Sequence, residues 1–295
     1  MDFYKDTKSK IFKVFCYLII SIFALFCLIP FFLVISASIT PENDIVKYGY
    51  SLIPKHISFD AYKLLLSNGK EIFNAYKVTI FITIFGTATG LILMSMTAYV
   101  LGRKDFKYRN KFAFYIYFTT LFNGGLVPFY IMMVKYLHLK DNIFAMILPG
   151  LANVWSIFLL RNFMKSIPDS LYEAAKLDGA GDFRIYWQIV IPLSKPALAT
   201  VGLFQALGYW NEWYNAMLYI QTPEKYPLQY FLQNMMASAN ITNLIKIGAN
   251  IDLSKIPTES IKMATAIIVT GPVILFYPFL QKYFVKGLIV GSVKG

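Results

Sequence analysis

The sequence predicts an all-α protein that crosses a lipid bilayer six times. Three observations predict it. The 295-residue chain is 57% hydrophobic with a mean hydropathy of +0.53, too apolar for one soluble domain. Only 15% of residues are charged, and they cluster between apolar runs. Those runs reach the roughly 20 apolar residues that a spanning helix needs.

In order, the spans are expected at 13–36, 75–101, 111–133, 143–162, 197–220 and 261–281. The first is too long for a cleavable signal, and no small-residue cleavage site follows it cleanly. Within it, Cys16 and Cys27 lie about 16 Å apart along one helix, too far to bridge. In the third, Asn123-Gly124-Gly125 and Pro128 weaken the helix, giving either a kink beside a pathway or a tight packing site. Gly271-Pro272 and Pro278 pose the same choice in the sixth. Two long loops, 37–74 and 221–260, lie on one side, and the second holds two short helical runs, Leu228 to Ala237 and Ile241 to Ile247. No internal repeat is evident.

The +12 net charge could point to nucleic acid, but its distribution argues otherwise. Lys5, Lys8, Lys10 and Lys13 precede the first span, and Arg103, Lys104, Lys107, Arg109 and Lys111 separate the second from the third. Others surround 169–192 and follow the sixth span (Lys282, Lys286, Lys294). The larger share of the 28 basic residues thus lies on one side, which places both termini in the cytoplasm. The chain divides into a cytoplasmic N-terminus (1–12), a transmembrane domain (13–285) and a cytoplasmic tail (286–295).

Chemistry-bearing motifs are absent. There is no phosphate-binding G-x-x-x-x-G-K-[ST] loop, no zinc signature and no nucleophile constellation. His56 and His138 fall in external loops without clustered partners, so no metal site is expected. The chain should bind no cofactor of its own, and energy for any active process must come from another subunit.

The polar stretch 169–192 between spans four and five is built like two helices rather than a connector. Ser170 and Glu173 have capping-box spacing after Pro168. Leu171, Ala174, Ala175 and Leu177 follow at helical spacing, and Gly179 stops the helix in a left-handed turn. A second run, Phe183 to Val190, ends near Pro192. Glu173-Ala174-Ala175, three residues, Gly179, nine residues, then Ile189-x-x-Pro192 is a long pattern met in full. It resembles the EAA loop of the membrane subunits of bacterial ABC importers. Trp210 to Ala216 in span five, Asn123 to Pro128 and the tail from Tyr283 are similar to the carbohydrate-uptake branch. They are closer there to complex-oligosaccharide systems than to the second permease of maltose systems, and the likeness runs from about residue 10 to the end.

The resemblance implies a type I ABC importer permease in the bacterial inner membrane. It implies a second, non-identical permease, a dimer of ATPase subunits that carries ATP and Mg²⁺, and an extracellular or periplasmic binding protein that delivers an oligosaccharide. Glu173, Ala174, Ala175, Asp178, Gly179, Ile189 and Pro192 would couple to the ATPase. The tail after Lys286 would lie between the ATPase subunits. Trp210, Asn211, Glu212, Trp213, Tyr214 and Asn215, with Asn123, are candidates for the substrate pathway. Aromatic faces stack on sugar rings, and Asn and Glu bond hydroxyl groups. Glu212 is the one carboxylate well inside an expected span, where a charge costs about 2.5–3.5 kcal/mol. It departs from the branch's pattern, and an interfacial aromatic belt or polar contacts between helices would also account for the segment. An ion-driven transporter, an importer of another solute and a membrane scaffold that binds an ATPase are the other classes. The first would want several buried charges, whereas one acid is found.

Overall fold

The computed structural model describes residues 7–67, 69–247, 259–272 and 274, and every regular element among them is helical. The chain separates into two compact units, Met1–Gly69 with Asn234–Pro272, and Lys70–Gln233 with Val273–Gly295.

The first unit opens with α1, Thr7–Ser38, which holds Pro30. Its apolar side chains, Phe12, Phe23 and Phe26 among them, stand exposed, as a helix solvated by lipid tails requires. Its end is fastened by polar contacts. Ser36 Oγ donates to the Ser51 carbonyl at 2.7 Å, and Tyr62 OH donates to Ser38 Oγ at 2.9 Å. The external loop folds into α2, Glu42–Tyr48, and α3, Asp60–Ser67. His56, expected alone, meets Asp44 at 2.7 Å. The buried Glu42 carboxylate accepts from the Glu259 and Ser260 N–H groups at 2.9–3.1 Å, capping the helix at 259–272. Gly271 and Pro272 fall in that helix, while Pro278, the rest of span six and the tail lie outside the described residues.

In the second unit, α4 (Gly69–Gly102) is one unbroken 34-residue helix, as expected of span two. The next three expected spans are each interrupted. Span three consists of α5, Arg109–Phe118, and α6, Leu126–Ile131, which continues into a π turn at Met132–Tyr136. Between them Thr119 and Thr120 hydroxyls donate to the Ile116 and Tyr117 carbonyls. Asn123 Oδ1 accepts from Gly125 N–H at 2.8 Å, and Gly125 takes φ +86°. Side chains here satisfy the backbone in place of the helix ladder. Span four is α7, Phe144–Ile147, a short 3₁₀ turn, and α8, Val154–Met164, bent by 49°. Asn153 caps α8 by accepting from Ser156 N–H at 2.9 Å.

Span five is α12, Lys195–Trp210, then α13, Tyr214–Tyr219. Among the described residues two helices, Lys10–Ser38 and Gly69–Gly102, are long and apolar enough to cross a membrane, or up to four if the bent pairs, Phe144–Gly150 with Val154–Met164 and Asp182–Leu193 with Lys195–Trp210, each count as one span. After the 220s, α14 runs without interruption over Leu228–Ile247. The two short helices expected there are one, because no Gly or Pro separates them.

Close approach of α4 and α12 depends on glycine. A Cβ on Gly86 would stand 2.6 Å from the Tyr209 ring, and one on Gly202 would stand 3.0 Å from Leu91 Cδ1. Tyr209 OH donates to the Ile147 carbonyl at 2.8 Å, so the ring has little room to retreat. Gly208 faces open space. Gly86→Ala is expected to cost about 1–3 kcal/mol, whereas Gly208→Ala should stay within about 0.5 kcal/mol. Thermal unfolding midpoints in detergent measure both, and equal midpoints would contradict the packing described.

Candidate functional site

The segment between spans four and five folds as α9 (Asp169–Leu177), α10 (Asp182–Ile185), a π turn at Tyr186–Val190 and α11 (Ile191–Leu193). An 82° bend at Ser194 separates it from α12. The helix begins two residues earlier than a capping box at Ser170 allows. Extended Pro168 (ψ 134°) takes the N-cap, no side chain caps it, and Ser170 lies inside the first turn. The second run ends at Leu193, next to Pro192 as expected. The wider π turn before it accommodates a residue without an N–H.

Gly179 does what its position predicts. It takes φ +76°, with Ala180 N–H donating to the Ala175 carbonyl at 2.9 Å and Gly179 N–H to the Lys176 carbonyl at 3.0 Å. This pair of bonds is a Schellman motif. No atom lies within 4 Å of where a Cβ would sit. A side chain there costs about 1–2 kcal/mol of backbone strain and no clash within this chain.

The loop has two faces. Ala175, Ile185, Tyr186 and Val190 are buried in the core of the second unit, with Ile189 packed against them. Glu173, Ala174, Asp178, Gly179 and Pro192 are exposed. The paired alanines are therefore divided, Ala175 inward and Ala174 outward. Leu177 is 89% exposed, Phe183 66% and Trp187 43%, and the two rings meet edge to face at 6.2 Å.

The inner face is anchored to the end of α4 by a group that the sequence reading missed. Arg103, 12% exposed, donates from Nε to Asp105 Oδ1 at 2.8 Å, from Nη2 to Asp105 Oδ2, and from Nη1 to Tyr99 OH at 2.9 Å. Its Nη1 is also 3.3 Å from Asp182 Oδ1 on α10. The guanidinium lies 5.6 Å and 5.4 Å from the Tyr99 and Tyr172 ring centres. Lys176 reaches Asp105 at 2.9 Å, and Lys104 pairs with Asp169. Tyr186 OH and Ser95 Oγ share a hydrogen bond of 2.7 Å. The bonds to Arg103 and Lys176 hold the Asp105 carboxyl well below the usual carboxylate range, and that to Asp105 raises the Arg103 guanidinium. The available signal was the Arg103-Lys104-Asp105 triplet directly after a span.

The pathway candidates are placed differently from expectation. Glu212 lies in the break between α12 and α13. It accepts from Asn215 N–H at 2.8 Å and from Asn215 Nδ2 at 2.9 Å, capping α13. Asn211 Nδ2 donates to the Leu207 carbonyl at 2.9 Å, closing α12. Trp210 sits 6.5 Å from Tyr76 and Trp213 5.8 Å from Tyr214. These residues form one local group, whereas Asn123 spends its side chain on Gly125 in another break.

Helices with apolar, exposed faces define a membrane protein, and its polar loop has one buried and one exposed face. The chain belongs to the family described as the binding-protein-dependent transport system inner membrane component, whose model matches residues 3–290. It is 40% identical over 294 residues to the polygalacturonan/rhamnogalacturonan transport system permease protein YtcP of Bacillus subtilis, covering 98% of this chain and all of that one. It is 37% identical over 268 residues to protein LplC of the same organism, covering 91% of this chain and 90% of that one. A solved bacterial ABC transporter involved in import of the acidic polysaccharide alginate contains a chain that superposes with a TM-score of 0.81. The identity there is 34%, covering 96% of this chain and all of that one. The fold is that of an ABC transporter permease, and the chain is a transport subunit rather than an enzyme. Family membership favours ATP-driven transport over the ion-driven alternative.

Arg103→Ala should lower stability by about 2 kcal/mol, because it strips charged groups of their hydrogen-bond donor. Lys104→Ala, which removes an exposed pair, should cost under about 1 kcal/mol. Thermal unfolding in detergent reads both, and equal losses would remove Arg103 from the centre of the anchorage. Asp105, with its carboxyl lowered, contributes fully above the ordinary value of about 3.9, and that contribution fades as pH falls from there and is lost once pH has passed the lowered value. The stability gap between wild type and Asp105→Asn should therefore be flat from about pH 5 to 8. A gap that closes as pH falls across that window would contradict the pairing.

Proposed function

We propose that the chain forms half of the translocation pathway of an ATP-driven oligosaccharide importer in the bacterial inner membrane. Six spans, at the boundaries given above, place both termini in the cytoplasm. A second, non-identical permease completes the pathway, and a dimer of ATPase subunits holds ATP and Mg²⁺. An extracellular or periplasmic binding protein delivers the sugar to the external loops.

The observation that carries this reading is the two-faced loop. Its outer face offers Glu173, Ala174, Asp178, Gly179 and the exposed Leu177, Phe183 and Trp187 to an ATPase. Its inner face is tied through Ala175, Ile189 and the Arg103 group to α4. A displacement of the outer face then moves the end of a spanning helix rather than a slack connector. Pro192, next to the 82° bend, passes the same displacement toward α12.

The sugar class follows from one relative named for polygalacturonan/rhamnogalacturonan transport and one solved transporter involved in import of the acidic polysaccharide alginate. Trp210, Trp213 and Tyr214 offer ring faces to a sugar, and Asn211 offers an amide. Glu212 and Asn215 shape the segment by capping α13, and Asn123 acts at a separate break. The in-chain hydrogen bonds of Glu212 reduce its conflict with an anionic sugar. Oligogalacturonides and alginate fragments are therefore the first substrates to test.

The test is the ATPase activity of the reconstituted complex, with binding protein and a panel of neutral and acidic oligosaccharides. One sugar class should stimulate hydrolysis in the wild type. Gly179→Asp should abolish stimulation while the chain still folds, because the site is open within this chain. Gly179→Asn, which also tolerates the left-handed turn without adding charge, should retain more of it. Uptake that persists without any co-purifying ATPase would sink the reading.

A further inference from the structure

The cleft beside α4 carries more positive charge than its own acids neutralise. It encloses about 610 Å³ between the end of α4, the start of α5, the end of α8 and the face of α9. Three of its cations are paired: Arg103 and Lys176 with Asp105, and Lys104 with Asp169. Two more, Arg109 and Lys165, also line it, as does one further acid, Glu173, so five cations face three carboxylates. Neither these two nor the neighbouring Arg161 has a carboxylate within ion-pair reach among the described residues.

The arginines are held in place. Arg109 Nη1 donates to the Arg103 carbonyl at 3.2 Å, and Arg161 Nε to the Leu101 carbonyl at 3.0 Å. Capping the C-terminal end of α4 accounts for one N–H of each guanidinium and leaves the others unspent. It does not account for Lys165, whose ammonium donates to nothing among the described residues. Burial, and then the like charges of Arg161 and Arg109, push that ammonium below its usual range. An anion in the cleft would relieve this crowding.

A second feature adjoins the first along the same helix pair. An apolar groove of about 550 Å³ is lined by Ala113, Phe114 and Tyr117 of α5 and by Val154, Trp155 and Phe158 of α8. Trp155 is 61% exposed in it. Arg161 of α8, one turn before Lys165, has its guanidinium 5.6 Å from the ring centre of Phe158 in the groove. From Arg109 to Tyr117 the helix rises about 12 Å. A cationic pocket at one end and an apolar groove running from it match a molecule with an anionic head and a hydrocarbon tail.

We propose that Arg109, Lys165 and Arg161 bind the phosphate of an anionic phospholipid whose acyl chain lies in the α5–α8 groove. The inference rests on reading the chain as a multi-pass membrane subunit, with this end at the cytoplasmic leaflet. Because α9 forms one wall of the cleft, a bound head group would stiffen the EAA helix against α4 and α8. The site would make lipid charge an input to coupling.

The test is native mass spectrometry of the purified complex in bilayers that contain phosphatidylglycerol and phosphatidylcholine. The wild type should retain phosphatidylglycerol preferentially. Arg109→Gln with Lys165→Gln should lower that retention roughly 10-fold or more. The charge-preserving pair Arg109→Lys with Lys165→Arg should keep it, which separates lost charge from misfolding. Trp155→Ala should weaken retention without removing the head-group preference. Unchanged retention in the Gln pair, or equal retention of both lipids by the wild type, overturns the proposal. Displacement by inorganic phosphate with no preference among lipid head groups identifies a free-anion site and overturns the lipid assignment. Loss of a partner subunit from the Gln pair with phosphatidylglycerol retained shows that the cations serve a protein contact, and the proposal falls. Retention is read without sugar or ATP, so its outcome is independent of the transport assay.

Discussion

The Arg103 side chain is the interaction on which the candidate site depends. It joins three segments that the chain presents far apart: the end of α4, the turn at Asp105 and the start of α10. A guanidinium suits this position because its donors are fixed in one plane. Two can face a carboxylate while another reaches a tyrosine and a second acid, and both faces remain free for rings. An ammonium could satisfy one of these partners well but not all of them. Asp105 extends the junction by taking Lys176 of α9, so both helices of the loop are tied to the same point. Around it, Tyr99, Tyr172 and Tyr186 form a ring cluster that excludes water from one side of the charges.

The rest of the second unit follows a related rule. Wherever a spanning segment is interrupted, a nearby side chain takes over the backbone bonding. Asn123 does so for Gly125, Asn153 for α8, Asn211 for the end of α12 and Glu212 for the start of α13. Water cannot serve these groups in a hydrocarbon layer, so a break without such a residue would be unstable. The price of each bend is thus a polar residue inside an apolar run. Polar residues that look like substrate contacts in the sequence have structural work of their own. For Glu212 this accounts for its carboxylate without a cation or a ligand.

What the sequence made legible was local. Gly179, its spacing from Glu173-Ala174-Ala175 and the helix on either side follow from neighbours within a few residues. The same holds for α4, whose apolar run is continuous. The Arg103 anchorage was not legible, because Lys176 and Asp182 are brought to it only by folding. Nor were the interruptions of spans four and five, where hydropathy averages over the one or two polar residues at each break. The misplaced capping box has a simple cause. The Ser170–Glu173 spacing puts Pro168 before the cap, whereas its extended backbone occupies the cap itself. The Glu212 cap was recoverable in principle, since a carboxylate three residues before Asn215 has the spacing of a helix N-terminus.

The division of the loop into two faces connects these points. A coupling element must be compliant toward its partner and stiff toward its own chain. Ala175, Ile185, Tyr186 and Val190 are packed inside a core whose members cannot shift independently at crystal-like density. Leu177, Phe183 and Trp187 make no comparable commitment. On the proposed reading, force applied at the outer edge meets little resistance there and is carried inward through close-packed contacts and the Arg103 bonds. The glycine corner at Gly179 keeps the two helices at a fixed angle by its own paired bonds, without side-chain bulk on the outer surface. The loop can then move as one piece with the end of α4, which is what separates a transmitting element from a tether.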